Sequence, residues 1–280
     1  MSTLRLSRRD VLAATASITL LGTQAARAQT HAPTGPGFST THLELPSAGL
    51  GPSHDGLVVA HLTDIHLGKQ TPMARVKAAL AASAGADLLV LTGDFVTYSK
   101  APIALFAEAF ADRPPLPTFA CLGNHDHIVS AAKVRTELEK LGITVLQNEH
   151  TVTQLKGAPL QIIGVDDGTT HHDDVAKSFE GTTKAQSRLV LTHSPPTANR
   201  LPRDEGLICL TGHTHGGAIH LGAATNAIFR LLGQPYVRGL YPVNGNQLYV
   251  NRGLGSNVRY RAEPELTLLT LRPARTSEAA

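Results

Sequence analysis

Short apolar runs alternate with segments of helical periodicity along the first half of the chain. The apolar runs cover residues 57–60, 88–91 and 118–122. Each is followed by a polar stretch and then by a segment whose apolar residues recur every three or four positions, the spacing of an amphipathic helix. The pattern therefore predicts strand, polar loop and helix three times in succession, which is typical of an α/β fold.

The predicted helices have start and stop signals. The first is expected to begin at Pro72 and to end at Gly85, since proline is favoured in a first helical turn and glycine after a last one. The third is expected to be capped by Ser130 and ended by Gly142. Residues 103–111 form the candidate helix between them.

The second half of the chain is dense in predicted strands. Near-continuous apolar runs indicate strands that are covered on both faces. With 280 residues, the chain is long enough for one large domain with a sizeable core. We expect a single α/β domain containing strands at 143–146, 152–155, 160–165, 189–191, 207–210, 247–250 and 266–271.

Polar residues that suit metal chemistry follow these apolar runs. In α/β sheets, the edge outside the carboxyl ends of the strands is where ligands bind. Turn chemistry explains a single aspartate at such a place, but it does not explain why His, Asp and Asn recur at one strand end after another. The residues concerned are Asp64, His66, Asp94, Asn124, His125, Asp126, His193, His213 and His215.

The order of these residues resembles that of the calcineurin-like metallophosphoesterase family. The similarity runs from about residue 58 to residue 271 and covers Asp-x-His, Gly-Asp, Gly-Asn-His-Asp, a lone His and Gly-His-x-His. It implies a sandwich of two mixed β-sheets flanked by helices, with two divalent metal ions whose ligands suit Mn, Fe or Zn. It also implies that Asp64, His66 and His215 bind one ion, that Asn124, His193 and His213 bind the other, and that Asp94 bridges both.

His125 and Asp126 are the catalytic candidates. The resemblance implies that His125 acts on the scissile ester as a proton donor or charge stabiliser rather than as a metal ligand. We expect Asp126 to hold the imidazole of His125 and to raise its basicity. The alternative, that His125 is a ligand or only structural, stays open. Where the family often has glutamine after Gly-Gly, this chain has Ala218, which puts a substrate contact at that position in doubt.

The implied activity is hydrolysis of a phosphate ester, most often a phosphodiester, by a metal-bridging hydroxide. One alternative is a pyrophosphate hydrolase that acts on a nucleotide-sugar or lipid substrate. The alternative from another class is a metal-stabilised binding or scaffold protein on the same fold. A scaffold would be expected to lose ligands or the candidate catalytic histidine, and this chain retains all of them.

The N-terminus has the pattern of a twin-arginine export signal. Arg8 and Arg9 precede a modestly apolar stretch at 11–21, and residues 26–28 offer a small-residue cleavage site. An ordinary secretory signal is the alternative. We therefore expect an exported protein, periplasmic or associated with the cell envelope, that uses the twin-arginine export machinery.

Composition and charge limit the other partners. The predicted signal contains four arginines and one aspartate, so it accounts for the whole net charge of +3. No Lys/Arg run remains to follow a nucleic-acid backbone. Residues 228–241 mix apolar, aromatic and arginine side chains, and contact with a lipid or membrane surface is the alternative there to packing on the core. For Cys121 and Cys209, buried thiols and a disulfide are both open.

These observations divide the chain into four parts: a signal at 1–28, an extended lead-in at 29–56, a metallophosphoesterase domain at 57–272 and a tail at 273–280. Within the lead-in, one strand is expected near residues 42–45. The His-His-Asp-Asp run at 171–174 is expected to be a solvated loop rather than an additional metal site.

Overall fold

The computed structural model describes residues 27–35, 37–68, 70–217, 231, 234–255 and 262–274. Five α-helices lie wholly within these parts of the chain: α1 (Met73–Ala82), α2 (Phe106–Ala109), α3 (Asn124–Val129), α4 (Ala131–Lys140) and α5 (Val175–Ser178). The thirteen strands there are β1 (Arg27–Gly35), β2 (Phe38–Ser47), β3 (Leu57–Leu62), β4 (Leu88–Thr92), β5 (Thr118–Cys121), β6 (Thr144–Val145), β7 (Glu149–Leu155), β8 (Ala158–Gly164), β9 (Ser187–Leu191), β10 (Ile208–Thr211), β11 (Gly239–Val243), β12 (Asn246–Val250) and β13 (Glu265–Pro273).

The described strands form two mixed sheets. The first has the order β1-β2-β13-β3-β4-β5-β6, and the second has the order β11-β12-β10-β9-β8-β7. Strands β3 to β6 are parallel, as are β8, β9, β10 and β12, whereas the pairs at β1/β2, β3/β13, β7/β8 and β11/β12 are antiparallel. This is the predicted architecture of two mixed sheets with flanking helices.

Three layers of apolar side chains explain why the strand sequences are nearly continuous apolar runs. Along β4, Leu88 and Val90 pack between the two sheets, whereas Leu89 and Leu91 face the helices. Helices α1, α2 and α4 cover the outer face of the first sheet. A third cluster covers the outer face of the second sheet and includes Val190 and Cys209. Both sheets are therefore buried on two faces, as their sequences predict.

The lead-in contains more regular structure than the sequence indicated. The single strand expected near residues 42–45 extends over Phe38–Ser47 as β2, and β1 pairs with it in an antiparallel ladder. β2 is also parallel to β13. The turn-rich composition of 29–56 hid these strands, because pairing with β13 outweighs weak local propensity.

The continuous helix predicted at 103–111 is wrong, because the structure has two short pieces there. The chain makes a 3-10 turn over Ala101–Leu105 and then the short helix α2. Pro102 lies in the first turn, and burial of Ile103 and Phe106 fixes this short segment more than helical propensity does. The helix expected after Ser130 is present as α4, but the Ser130 side chain makes no capping hydrogen bond.

Two expectations concern residues that are only partly described. The predicted export signal lies outside the described residues except for Arg27 and Ala28, which begin β1. The segment at 228–241 is described only at 231 and from 234 onward, and its end forms β11, a strand that the sequence interpretation missed. Of the helices in the described parts of the chain, none has the length and apolar character needed to cross a membrane.

Candidate metal centre

The predicted metal ligands follow parallel strands and meet at one edge of the sandwich. Asp64, Asp94 and Asn124 come directly after β3, β4 and β5 of the first sheet. His193 and His213 follow β9 and β10 of the second sheet. Since these strands run in parallel within each sheet, their carboxyl ends bring both sets of loops together.

One group of ligand atoms contains Asp64, His66 and His215. The Nε2 atom of His215 lies 3.3 Å from Oδ1 of Asp64 and 3.2 Å from Nε2 of His66. Ligands that each bind one ion at about 2.0–2.2 Å lie roughly 3–3.5 Å from one another in tetrahedral geometry. The group thus has the dimensions of a metal site.

A second group lies on the other side of Asp94. His193 Nε2 is 3.3 Å from Asp94 Oδ2 and 3.3 Å from His213 Nδ1. His213 Nδ1 is in turn 3.0 Å from the side-chain oxygen of Asn124. The same Oδ2 atom of Asp94 lies 3.4 Å from His66 Nε2, so one carboxylate oxygen contacts both groups.

Backbone carbonyls orient three of the histidine rings. Nδ1 of His66 lies 3.1 Å from the carbonyl oxygen of Val96. Nδ1 of His193 lies 2.7 Å from the carbonyl oxygen of Thr92. Nδ1 of His215 lies 3.0 Å from the carbonyl oxygen of Gly255. Each Nδ1–H therefore donates to a carbonyl and leaves the Nε2 lone pair directed at the site. His213 presents Nδ1 instead.

An orphaned carboxylate oxygen supports the fit to a cation. Asp64 is fully buried, and its Oδ2 accepts hydrogen bonds from the Thr63 hydroxyl and the His213 amide. Its Oδ1 is buried without any hydrogen-bond partner among the described residues. A buried carboxylate oxygen without a partner is costly, and a bound cation would remove that cost.

The backbone at the site is held in an uncommon conformation. Five of the predicted ligands, none of them glycine, have positive φ angles: Asp64 at 50°, His66 at 43°, Asp94 at 56°, His213 at 72° and His215 at 49°. The left-handed region is disfavoured for residues with a Cβ atom and persists only where surrounding structure enforces it. Here it turns the side chains inward from the strand ends.

Burial and charge set the protonation states of these groups. Burial lowers the pKa of His66 to about 4, which favours the neutral imidazole needed to bind a metal. Burial and the neighbouring His193 lower the pKa of His213. Burial opposes ionisation of Asp94, but the adjacent histidines, His193 first, hold its pKa well below the usual range.

Asp126 does not have the predicted role. Its buried carboxylate accepts hydrogen bonds from the amides of Asp94, Phe95, Val96 and Gly123. The expectation that it holds the ring of His125 is therefore wrong. Residues 124–129 form helix α3, so consecutive side chains point in different directions, and Asp126 turns back to tie the loops after β4 and β5 together.

His125 lies at the surface of the site, with a side chain that is 17% exposed. Its Nε2 is 4.0 Å from Asp94 Oδ2, and its Nδ1 is 2.8 Å from the carbonyl oxygen of Thr97. The carbonyl has the orienting role that was expected of Asp126. The Nε2 atom is consequently the one that faces the centre.

The loop after β12 supports the site and was missed by the sequence interpretation. The amide of Gly255 donates to the carbonyl of Asp64 at 2.7 Å, and the carbonyl of Gly255 orients His215. Gly253 has φ +82°, and a Cβ there would lie 2.8 Å from the Cβ of Asp64. The available signal was a glycine-rich sequence directly after an apolar strand.

Asp167 was also missed, although it follows strand β8 in the same way. It is fully buried, and its Oδ2 accepts hydrogen bonds of 2.7 Å from both the amide and the hydroxyl of Thr170. Burial tends to lower the pKa of His193, but the charges of Asp94, Asp64 and Asp167 raise it well above its ordinary value. Asp167 is thus one of the carboxylates whose negative charge acts on His193.

The remaining candidate residues do not join these groups. Among the described residues, the groups with metal-site dimensions involve Asp64, His66, Asp94, His125, His193 and His215, and none includes the run at 171–174. His61 is buried and pairs with the Thr92 hydroxyl at 2.8 Å. Cys121 and Cys209 are free, buried thiols, so they do not form a disulfide.

Comparison with known proteins agrees with this geometry. Residues 57–217, more than half of the chain, match the family model described as "Calcineurin-like phosphoesterase". The chain belongs to this family. It is a metallophosphoesterase, a hydrolase of phosphoric esters, and the family uses divalent metal ions.

Two curated relatives are similar over most of their length. "Phosphodiesterase YaeI" of Escherichia coli is 31% identical over 225 residues, which cover 76% of this chain and 81% of the relative. "UDP-2,3-diacylglucosamine pyrophosphatase LpxG" of Chlamydia trachomatis is 29% identical, with 76% and 83% covered. A solved 5'-nucleotidase precursor from Thermus thermophilus has a TM-score of 0.49 at 13% identity, covering 78% of this chain and 56% of that one.

Proposed function

We propose that this protein is an exported phosphodiesterase that works with two divalent metal ions. The observation that carries the proposal is the position of Asp94, whose Oδ2 atom lies 3.4 Å from His66 and 3.3 Å from His193. A carboxylate oxygen shared by two ligand groups is what a bridged pair of ions needs. When bound, such a pair supplies an activated water and positive charge for the phosphoryl oxygens.

The protein residues account for the remaining parts of the reaction. Asp64, His66 and His215 would hold one ion, and Asn124, His193 and His213 would hold the other. Because the Thr97 carbonyl accepts from Nδ1 of His125, a protonated His125 presents its second proton on Nε2. That proton can pass to the leaving oxygen of the ester as the bond to phosphorus breaks.

The names of two relatives support two substrate classes. Phosphodiesters are the first candidate, and pyrophosphates are the second. The relative from Escherichia coli is named a phosphodiesterase, and that from Chlamydia trachomatis is named a pyrophosphatase of a lipid-bearing nucleotide sugar. Complete ligands together with His125 argue against a scaffold protein. Arg8-Arg9 and the stretch that follows support export by the twin-arginine route to the periplasm or cell envelope.

The test is a metal analysis combined with a rate comparison on the same purified sample. The chain lacking residues 1–26, so that strand β1 is kept, would be loaded with Mn²⁺, Fe²⁺ or Zn²⁺ and assayed on a chromogenic diester, the matching monoester and a nucleotide-sugar pyrophosphate. We expect two ions per chain and the highest kcat/KM on the diester. A higher kcat/KM on the pyrophosphate would favour the second candidate, and hydrolysis of none would contradict both.

A further inference from the structure

An exposed aromatic side chain stands beside the candidate catalytic histidine. Tyr98 is 76% exposed. Its ring centroid is only 4.7 Å from that of His125, and the two rings meet at 66°, an edge-to-face arrangement. His125 also contacts the predicted metal ligand His66, with ring centroids 5.0 Å apart. The ring of His125 thus contacts both a ring of the candidate metal centre and an exposed aromatic ring.

The loop that carries Tyr98 is tied to the site. The carbonyl of Thr97 accepts from His125 Nδ1 at 2.8 Å, and the Thr97 hydroxyl is 3.2 Å from Nδ1 of His66. Tyr98 is therefore the residue next to one that contacts both histidines. These contacts fix the backbone next to Tyr98, and the edge-to-face contact with His125 positions its ring, although most of its surface is in water.

A second exposed apolar side chain lies close to His125 along the chain. Ile128 is 60% exposed and follows His125 by three positions in helix α3. Residues three apart on a helix are neighbours on its surface. His125 consequently has an exposed aromatic residue and an exposed aliphatic residue as neighbours. We call Tyr98 and Ile128 the apolar rim.

We propose that the apolar rim contacts an apolar substituent of the phosphate ester, on the side where His125 meets the leaving group. The proposal rests on the proposed function, because that function places the leaving oxygen at His125. Large apolar side chains exposed singly are common, but two that neighbour one reactive group at a site entrance gain from being covered by a ligand. The rim would favour esters with an aryl group or a larger alkyl group over methyl esters.

Phosphonates test this without requiring turnover. Calorimetry on the Mn²⁺-loaded protein would compare phenylphosphonate, cyclohexylphosphonate and methylphosphonate, which share a headgroup. We expect the wild type to bind the two larger ligands more tightly, and Tyr98→Ala to lose about 3- to 10-fold of that preference, the size of one aromatic contact. Tyr98→Phe should retain it. Tighter binding of phenylphosphonate than of cyclohexylphosphonate would indicate ring stacking. Equal binding of the two would indicate general apolar contact.

The matched control is Val152→Ala, which shortens an exposed apolar residue on the edge strand β7 and should change nothing. Equal loss for methylphosphonate and phenylphosphonate in Tyr98→Ala would overturn the proposal, because it would mean that the ring only positions His125. Absence of any preference in the wild type would overturn it as well. If the preference depends on Tyr98 while no diester is cleaved, the rim stands and the proposed function fails.

Discussion

The backbone amide of His125 donates a hydrogen bond to Oδ1 of Asp94 at 2.9 Å, while Oδ2 of the same carboxylate faces the two ligand groups. The two oxygens of Asp94 therefore have separate tasks. One fixes the start of helix α3, and the other is available to metal ions. A substitution can therefore remove the metal-binding role of Asp94 while keeping its hydrogen bond to the His125 amide.

Asp94→Asn is expected to separate folding from metal binding. The asparagine oxygen can still accept from the His125 amide, but its NH₂ group cannot bridge two cations. Metal content should fall below two ions per chain and hydrolysis should be lost, while the circular dichroism spectrum stays that of the wild type. Full metal content with a wild-type rate would contradict the bridging role.

His125→Ala should have the opposite pattern. Both ions should remain, and the rate should fall by roughly 10²–10⁴, the usual contribution of a positioned proton donor. A diester with a nitrophenolate leaving group should lose less than an alkyl diester, because a good leaving group needs little protonation. Loss of an ion would make His125 a ligand, and equal rate losses on both diesters would point to charge stabilisation.

Gly253→Ala is expected to disturb Asp64 directly. The added Cβ would lie 2.8 Å from that of Asp64, in addition to the cost of a side chain at φ +82°. Gly157→Ala is the matched control, since Gly157 has φ +76° with nothing within 4 Å of the added atom. Both should lose about 1–2 kcal/mol of stability from the backbone alone. Only Gly253→Ala should also weaken metal binding, as measured by chelator competition.

The His127–Asp166 pair should make stability depend on pH. The two side chains meet at 2.8 Å. Burial lowers the pKa of His127, but the hydrogen bond and charge of Asp166 outweigh it and raise that pKa above 6.5. A raised histidine pKa stabilises the fold below the unfolded value and loses this effect as the pH rises through the folded value. The stability difference between wild type and His127→Gln should thus be larger at pH 6 than at pH 9, by urea unfolding. A difference independent of pH would refute it.

Export is tested by Arg8→Lys combined with Arg9→Lys. If the twin-arginine route carries the protein, this double variant should accumulate uncleaved in the cytoplasm. Immunoblots of cytoplasmic and periplasmic fractions measure this, and a cytoplasmic marker controls for leakage. Normal appearance of the mature protein outside the cytoplasm would show that another route suffices.

The sequence predicted most of the strands, and the meeting of the candidate ligands at one sheet edge, because both depend on local patterns. Apolar runs such as 88–91 are buried on two faces, and a parallel strand order brings their carboxyl ends to one edge. Asp64, His66 and Asp94 could therefore be placed from their position after a strand.

Features that depend on long-range contact could not be predicted in this way. Strand β1 and the length of β2 rest on sheet pairing rather than on composition. The direction of the Asp126 carboxylate depends on helix α3 starting at Asn124, and the sequence showed only that Asp126 follows His125. The support that Gly253 and Gly255 give to Asp64 joins residues about 190 positions apart. The glycine-rich sequence indicates an unusual backbone there, but a single sequence does not show which distant residue it contacts.

The left-handed backbone of five of the predicted metal ligands has a consequence for laboratory evolution. Residues held in this region typically cost about 1–3 kcal/mol each, and glycine would relieve most of that cost while deleting the ligand. Heat resistance and hydrolysis therefore compete at these positions. Selection of a variant library for heat resistance alone would therefore enrich inactive variants. A thermostable form of this enzyme has to be selected for hydrolytic activity at the same time.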